Sequence, residues 1–199
     1  DCLLSRGLGD VYKRQELHHP DIQIELDEFG SVRACNLVQE EKLGLAIVNM
    51  EQFNIDKFES RVLAKEQLVY VVSKNHPMSG KKYMTIEDFK DEKLVMFNVD
   101  SVQNELLKNR FDGLNISPHI IMRSSQLYTT LKFVDKGNCG CFLLSDMLPH
   151  FREYVGIPLK PSIDVKIGII WKKENFLSHS AQLFIDFAMQ YCSEKIITP

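Results

Sequence analysis

The chain has 199 residues, 44% of them hydrophobic and 26% charged, with a formal net charge of −3. That composition argues against disorder, collagen and coiled coil, and no apolar run approaches the ~20 residues that a membrane helix needs. Readers of duplex DNA carry a basic excess against the phosphates, so this acidic stretch is a poor operator-binding surface. The length suits one domain or two small halves. Five cysteines without a disulfide-like spacing point to a reducing, cytoplasmic setting.

Residues 1–15, DCLLSRGLGDVYKRQ, show no helical or strand period and are expected to stand outside the fold. The chain opens Asp1-Cys2-Leu3-Leu4, as a fragment would. The run Gly9-Asp10-Val11-Tyr12-Lys13-Arg14-Gln15 resembles the translation of a transposase adapter used in sequencing libraries, back-translating to GGA GAT GTG TAT AAG AGA CAG. Setting aside Arg6, Lys13, Arg14, Asp1 and Asp10 leaves a net charge of −4, and four cysteines remain: Cys35, Cys139, Cys141 and Cys192.

Pro20 ends any helix begun at Glu16. Ile22, Ile24 and Leu26 alternate with Gln23, Glu25 and Asp27, which predicts a half-buried strand over 22–26. Ser31 is placed to cap a helix over 32–42, and 45–48 reads as a buried strand. That order predicts a parallel β-α-β unit. The stretch 62–72 is apolar and extended, with Lys65, Glu66 and Gln67 interrupting it as at a crossing between two bodies. A short helix over 85–89 with Thr85 as its cap and a strand over 94–97 follow. Next come a helix from Ser101 to about Phe111, with Val102, Leu106 and Phe111 on one face, and a strand over 119–122. Ser124 and Ser125 are expected to cap a helix whose Leu127, Leu131 and Val134 share a face and which Gly137 closes. Strands over 141–144 and 166–171, and a last helix capped by Ser178 or Ser180, complete an α/β pattern.

No P-loop, dinucleotide fingerprint, nucleophile elbow or H-E-x-x-H occurs in 16–199. His18-His19 reads as a surface pair rather than metal ligands, because adjacent side chains point apart. Cys139-Gly140-Cys141 lacks a second pair or a nearby histidine and reads as packing. Asn115-Ile116-Ser117 reads as a turn. Glu40-Glu41 and Lys172-Lys173 read as solvated faces. No nucleophile, base and orienting group occur together, so no catalytic residue, metal or cofactor is expected. Ser31, Ser101 and Ser125 instead each sit where a strand gives way to a helix. In an open parallel sheet such junctions bind ligands, and helix N-termini there suit a small anion. Any one serine taken alone reads first as a simple cap, and the case for binding rests on the convergence of the three.

These residues resemble the effector-binding domain of LysR-type transcriptional regulators. The resemblance runs through Pro20-Asp21-Ile22-Gln23-Ile24-Glu25-Leu26, Glu28-Phe29-Gly30-Ser31 and Leu43-Gly44-Leu45-Ala46-Ile47. It continues in Leu68-Val69-Tyr70-Val71-Val72, His76-Pro77-Met78 and Ile86-Glu87-Asp88-Phe89. It ends in the run from Phe133 through Gly137 to Leu144, and in Leu177-Ser178-His179-Ser180-Ala181 with Phe184 and Phe187, covering about 16–192.

The resemblance implies two Rossmann-like α/β subdomains joined by two crossing strands, the type 2 periplasmic-binding-protein-like fold. Subdomain I would be 16–66 plus 168–199 and subdomain II 67–167, with the crossings near Glu66-Gln67 and 167–169. It implies a small effector, an anion being one class that fits, in the cleft between them, held by Ser31, Asn49, Asn98, Ser101, Ser124, Ser125 and Gln126. Effector binding would reposition a helix-turn-helix lying outside this chain on DNA, in a cytoplasmic dimer or tetramer, with no membrane partner. Gly44 replaces the family's usual Asp, Ser145 its Pro, and Asn49 stands where some members place an arginine. The family's first strand, central in its sheet, and most of its first helix have no counterpart after residue 15. The domain is therefore expected to be N-terminally truncated and less stable than a complete one. Two rivals share the fold: a periplasmic solute-binding protein, which needs a secretory signal, and an enzyme, which needs a titratable cluster in the cleft.

Overall fold

The computed structural model describes Ile22 and residues 24–51, 55–97, 101–173 and 176–197. In chain order its elements are α1 (Ser31–Gln39), β1 (Ala46–Asn49), β2 (Phe58–Ser73), β3 (Lys93–Met96), α2 (Val102–Gly113), β4 (His119–Arg123), α3 (Leu127–Lys136), β5 (Gly140–Leu144), β6 (Tyr154–Pro158), β7 (Asp164–Lys172) and α4 (His179–Ile197). Short 3-10 turns lie at Ile55–Lys57, Ile86–Phe89 and Ser145–His150. The chain divides into two units, Asp1–Lys65 with Lys166–Pro199, and Glu66–Val165, so that it passes from one to the other inside β2 and again inside β7.

In the first unit β1 runs antiparallel to β7, Ala46 opposite Ile170 and Asn49 opposite Ile167, and β7 also borders β2. Alternation along β7 sends successive side chains to opposite faces. Ile170 joins Ala34, Cys35, Val38, Val48 and Met50 under α1. Ile169 and Trp171 join Leu63, Ile185, Ala188 and Tyr191 under α4. A side chain at Gly168 would strike the Met50 sulfur and lie 2.9 Å from the Arg61 carbonyl oxygen, so this crossing of strands admits only glycine.

In the second unit β3 lies between β4 and β5, parallel to both, and β2 pairs antiparallel with β5 and β6. The core is aromatic. Phe89 meets Tyr70 edge-on at 4.9 Å between ring centroids, Phe142 at 5.3 Å and Phe111 at 6.0 Å. The contacts with Tyr70 and Phe111 are edge-to-face and that with Phe142 is tilted, and such ring pairs add to the burial of the rings. The wholly buried Tyr70 donates its hydroxyl to Glu92 Oε2 at 2.8 Å. Gly140 lets the Tyr70 ring pass, since a Cβ there would overlap it.

Several expectations change. Ile22 and residues 24–26 are not in a strand. Alternation supplies an apolar face, but a strand also needs a ladder partner, and no described residue pairs with this segment. The parallel β-α-β unit expected there is therefore not formed; the parallel pairs belong to the second unit. Ser31 is not a cap: Gly30 holds that position and Ser31 is the first helical residue. In α2 the buried face comprises Val102, Leu107 and Phe111, with Leu106 half-buried. Gln126, not Ser124 or Ser125, is the N-cap of α3. The strand β6 was not expected, because Gly156 and Pro158 interrupt its pattern; Gly156 is needed there because Leu148 occupies the space of a Cβ. Glu40, Glu41 and Lys173 are exposed as expected, and Glu41 also pairs with the partly exposed Lys172.

Thr85 is the N-cap of the Ile86–Phe89 turn, as expected, and Asp88 completes a capping box with it. Ser178 accepts from the Ala181 N–H at 3.1 Å at the start of α4. Asn115 has φ +54°, which fits a turn.

Candidate functional site

Two groups of polar residues gather at strand ends. In the first unit Ser31 and Asn49 meet. Ser31 opens α1 and is buried, and its Oγ accepts from the Asn49 backbone N–H at 3.1 Å. Asn49 ends β1, is 5% exposed, and its Oδ1 accepts from the Glu51 N–H at 3.1 Å. The Ser31 hydroxyl thus ties the carboxyl end of β1 to the first turn of α1, where unpaired N–H groups and the positive end of the helix dipole lie.

In the second unit the site grows from the carboxyl ends of β3 and β4. Ser101 caps α2, its Oγ accepting from the Asn104 N–H at 3.2 Å. Asn104 donates its side-chain amide to the Phe97 carbonyl at 2.6 Å, and Arg123 donates to the same carbonyl at 3.3 Å. The Ser124 N–H bonds the Met96 carbonyl at 3.1 Å, and Ser124 Oγ accepts from the Gln126 N–H at 3.0 Å. Gln126 Oε1 accepts from the Thr129 hydroxyl at 3.1 Å. Ser125 is exposed. Asn98 lies outside the described residues.

Ser31 and Asn49 therefore meet directly in the first unit, while in the second Ser101, through Asn104, and Ser124 are tied to the adjacent Phe97 and Met96 carbonyls, with Gln126 bonded to Ser124. Asn104 and Arg123 escaped the sequence reading. Asn104 sits three residues after Ser101, a spacing that signals a cap bond but not its side chain's reach back to Phe97. Arg123 is the last residue of β4, and a charged residue at a strand's carboxyl end was the available signal. The set offers hydroxyls, amides, one guanidinium and helix N-termini, which suits binding a polar or anionic molecule better than moving a proton.

Among the described residues no group of three His, Cys, Asp or Glu is placed to hold a metal. His18 and His19 lie outside them. Cys139 points its thiol at the Phe133 carbonyl, 3.5 Å away, and Cys141 is wholly buried. Burial pushes both thiols up, and pushes Cys35 up to about 11, which leaves them poor nucleophiles. Ser145, in place of the expected proline, donates to Glu66 Oε2 at 2.7 Å. No described helix is long and apolar enough to cross a membrane.

A family model, the LysR substrate binding domain, matches residues 5–193. The chain is 26% identical over 190 residues to the uncharacterised HTH-type transcriptional regulator YwbI of Bacillus subtilis (strain 168), covering 94% of this chain and 61% of that protein. It is 23% identical over 198 residues to the transcriptional dual regulator GltC of the same organism, covering 96% and 65%. The chain thus spans less than two thirds of the length of these relatives, which are transcriptional regulators. Among solved structures, the regulatory domain of CcmR from Synechocystis PCC6803, in complex with 2-PG, superposes with a TM-score of 0.85 at 17% identity, over 94% of this chain and 91% of that one. The effector binding domain of QuiR, in complex with shikimate, superposes with a TM-score of 0.79 at 22% identity, over 94% and 90%. The fold is the mixed α/β, type 2 periplasmic-binding-protein-like fold of these regulatory domains.

Proposed function

Because the chain belongs to the LysR substrate-binding-domain family, we propose that it is the effector-sensing part of a cytoplasmic transcription regulator and is not an enzyme. Its ligand is a small polar or anionic molecule, for which Ser101, Ser124, Ser125, Gln126 and Asn98 are the proposed binding residues in the second unit, while Ser31 and Asn49 form a separate candidate group within the first. Arg123 supplies the positive charge. The observation that carries this reading is the second-unit cluster, where a capped helix N-terminus and a guanidinium stand at neighbouring strand ends. Such an end attracts negative charge without a basic patch. Asn49, uncharged, favours one carboxylate over two. DNA contact, and assembly into a dimer or tetramer, belong to the longer regulator. The periplasmic alternative loses support because the curated relatives are transcriptional regulators.

The test is a thermal-shift screen of the chain against small monocarboxylates, starting with shikimate because a neighbouring fold binds it. A true effector at a hundred times its Kd adds about 2.7 kcal/mol of stability. Arg123→Ala is expected to weaken that ligand about tenfold or more, the value of a lost charge-assisted hydrogen bond. Ser31→Ala is expected to weaken it less. A panel-wide absence of any shift, or a ligand indifferent to both substitutions, counts against the site.

A further inference from the structure

The chain leaves the first unit inside β2, after Lys65, and returns to it inside β7, after Val165. The ladder of β2 with β5 stops at Leu68 opposite Leu144. One residue on, Ser145 opens the Ser145–His150 turn, and side chains take over from the ladder. The Ser145 hydroxyl donates to Glu66 Oε2 at 2.7 Å, and its oxygen accepts from the Gln67 N–H at 3.5 Å. The Glu66 carboxylate also accepts from the Asp146 backbone N–H, as a cap does for an unpaired donor at the start of a helix. Gln67 donates its side-chain amide to Asp164 Oδ1 at 2.9 Å, and the Leu68 N–H donates to the Ile163 carbonyl at 2.9 Å. Both crossing strands are thus tied to each other, and β2 to the end of β5, just where they enter and leave the second unit.

The backbone does not demand a serine at 145. Leu144 is extended, with φ −75° and ψ 147°, and residue 145 is the first of its turn, two conditions that suit proline. A proline, the residue that Ser145 replaces, has no hydroxyl to give Glu66. Of the two side-chain bonds to a carboxylate here, that from Ser145 is part-buried and that from Gln67 is exposed, so water competes less for the first.

We propose that Ser145 and Glu66 form a latch, which keeps the crossing stretch of β2 in the second unit and so restricts how freely the two units turn about their crossings. Closed, it leaves the turning to residues on the first-unit side of Glu66. Open, it passes Glu66 and Gln67 into the linker and lengthens one crossing. A hinge takes up its motion in a few φ and ψ angles, so a residue or two more alters its stiffness. The latch needs no bound effector, and the proposal is independent of that reading.

The test uses the full 199-residue chain, with thermal unfolding by circular dichroism to establish that each variant is folded. Ser145→Ala is expected to speed amide exchange at Gln67 and Asp146 about tenfold, the value of a hydrogen bond to a charged group. It is also expected to draw apart the rotational correlation times of the two units, read from 15N relaxation. Ser145→Pro is expected to act as Ser145→Ala does, whereas Ser145→Thr, which keeps the hydroxyl, should match the parent in both readings. Glu66→Ala should open the latch too, and the Ser145→Ala, Glu66→Ala double variant should go no further than Glu66→Ala, because the two residues act as one. Unchanged exchange at both amides overturns the proposal, as does a threonine variant that behaves like alanine or a double variant that adds the two effects. Faster exchange with correlation times that stay at the parent's values also overturns it, and reduces Glu66 to the cap of one turn.

Discussion

In the second unit β3 has a strand on each side, and the helices and the Ile86–Phe89 turn close over it; in the first, the described residues give β1 a ladder partner on one side, β7. The residues of the two regions are alike in kind. Ile22, Ile24 and Leu26 alternate as cleanly as any strand in the chain, yet they stay irregular, whereas Lys93–Met96, a short run with no alternation, is a full ladder member. Strand formation is cooperative between segments: an extended backbone leaves its donors and acceptors to water unless a second backbone lies 4.7–4.9 Å away. Hydrophobic pattern selects the face, and the neighbour decides whether the strand exists.

The largest expected effect sharpens this contrast. Phe89 is wholly buried and touches three aromatic rings, so Phe89→Ala is expected to cost about 3–5 kcal/mol. Leu26, 51% exposed, has little to lose, and Leu26→Ala is expected to stay within about 0.5 kcal/mol. Urea unfolding of the two variants, followed by circular dichroism, checks both. A large loss at Leu26 would mean that the 24–28 segment is as firmly held as β3.

A smaller effect concerns the turn that closes the aromatic core. Asp88 Oδ2 accepts from the Thr85 N–H at 2.7 Å, and Lys81 donates to Asp88 Oδ1 at 2.8 Å. These donors hold the Asp88 carboxyl below its usual range. Asp88→Ala is expected to cost about 1 kcal/mol, the usual value of a cap, while Asp88→Asn keeps much of the cap and loses the lysine. The unfolding midpoints of the two variants, ranked in that order, check the assignment.

Much of the fold was legible because its signals are local or periodic. The Thr85 and Asp88 capping box, the Leu127, Leu131 and Val134 face of α3, and the buried run ending at Leu144 each declare themselves within a few residues. What stayed hidden depends on partners distant in sequence. Ile22 and residues 24–26 find no ladder partner among the described residues, which their own alternation could not foretell. Strand β6 turned on Leu148 filling the space above Gly156. Ser31 was readable as important, but its role as acceptor for the Asn49 N–H, 18 residues away, was not. Likewise the family resemblance carried Ser124 and Gln126 into the site, yet Arg123 and Asn104 emerged only when β3, β4 and α2 were seen to meet at the Phe97 carbonyl.

The smallest effect is a pH dependence confined to one unit. His76 follows the end of β2, and its side chain is nearly fully buried. Its Nδ1 accepts from the Met78 N–H at 3.2 Å, which fixes the neutral ring with Nε2 toward Glu92 Oε2, 3.7 Å away. Burial pulls the imidazole below its ordinary value of 6.5, and the Glu92 carboxylate only partly opposes this. The folded state therefore binds the proton less readily than the unfolded chain does. Stability is full above the unfolded value and falls as pH drops through it toward the lower folded value. Protonation also removes the acceptor for Met78, loosening the turn that holds the Tyr70 and Glu92 pair. Amide exchange along the second half of β2 is thus expected to quicken between about pH 7.5 and 5.5, and His76→Gln is expected to flatten the change. The first unit supplies the internal control: its described histidine, His179, is exposed, so β1 and α4 should hold their exchange rates over the same range once the intrinsic pH dependence is removed. An equal acceleration in both units would assign the effect to global unfolding and not to His76.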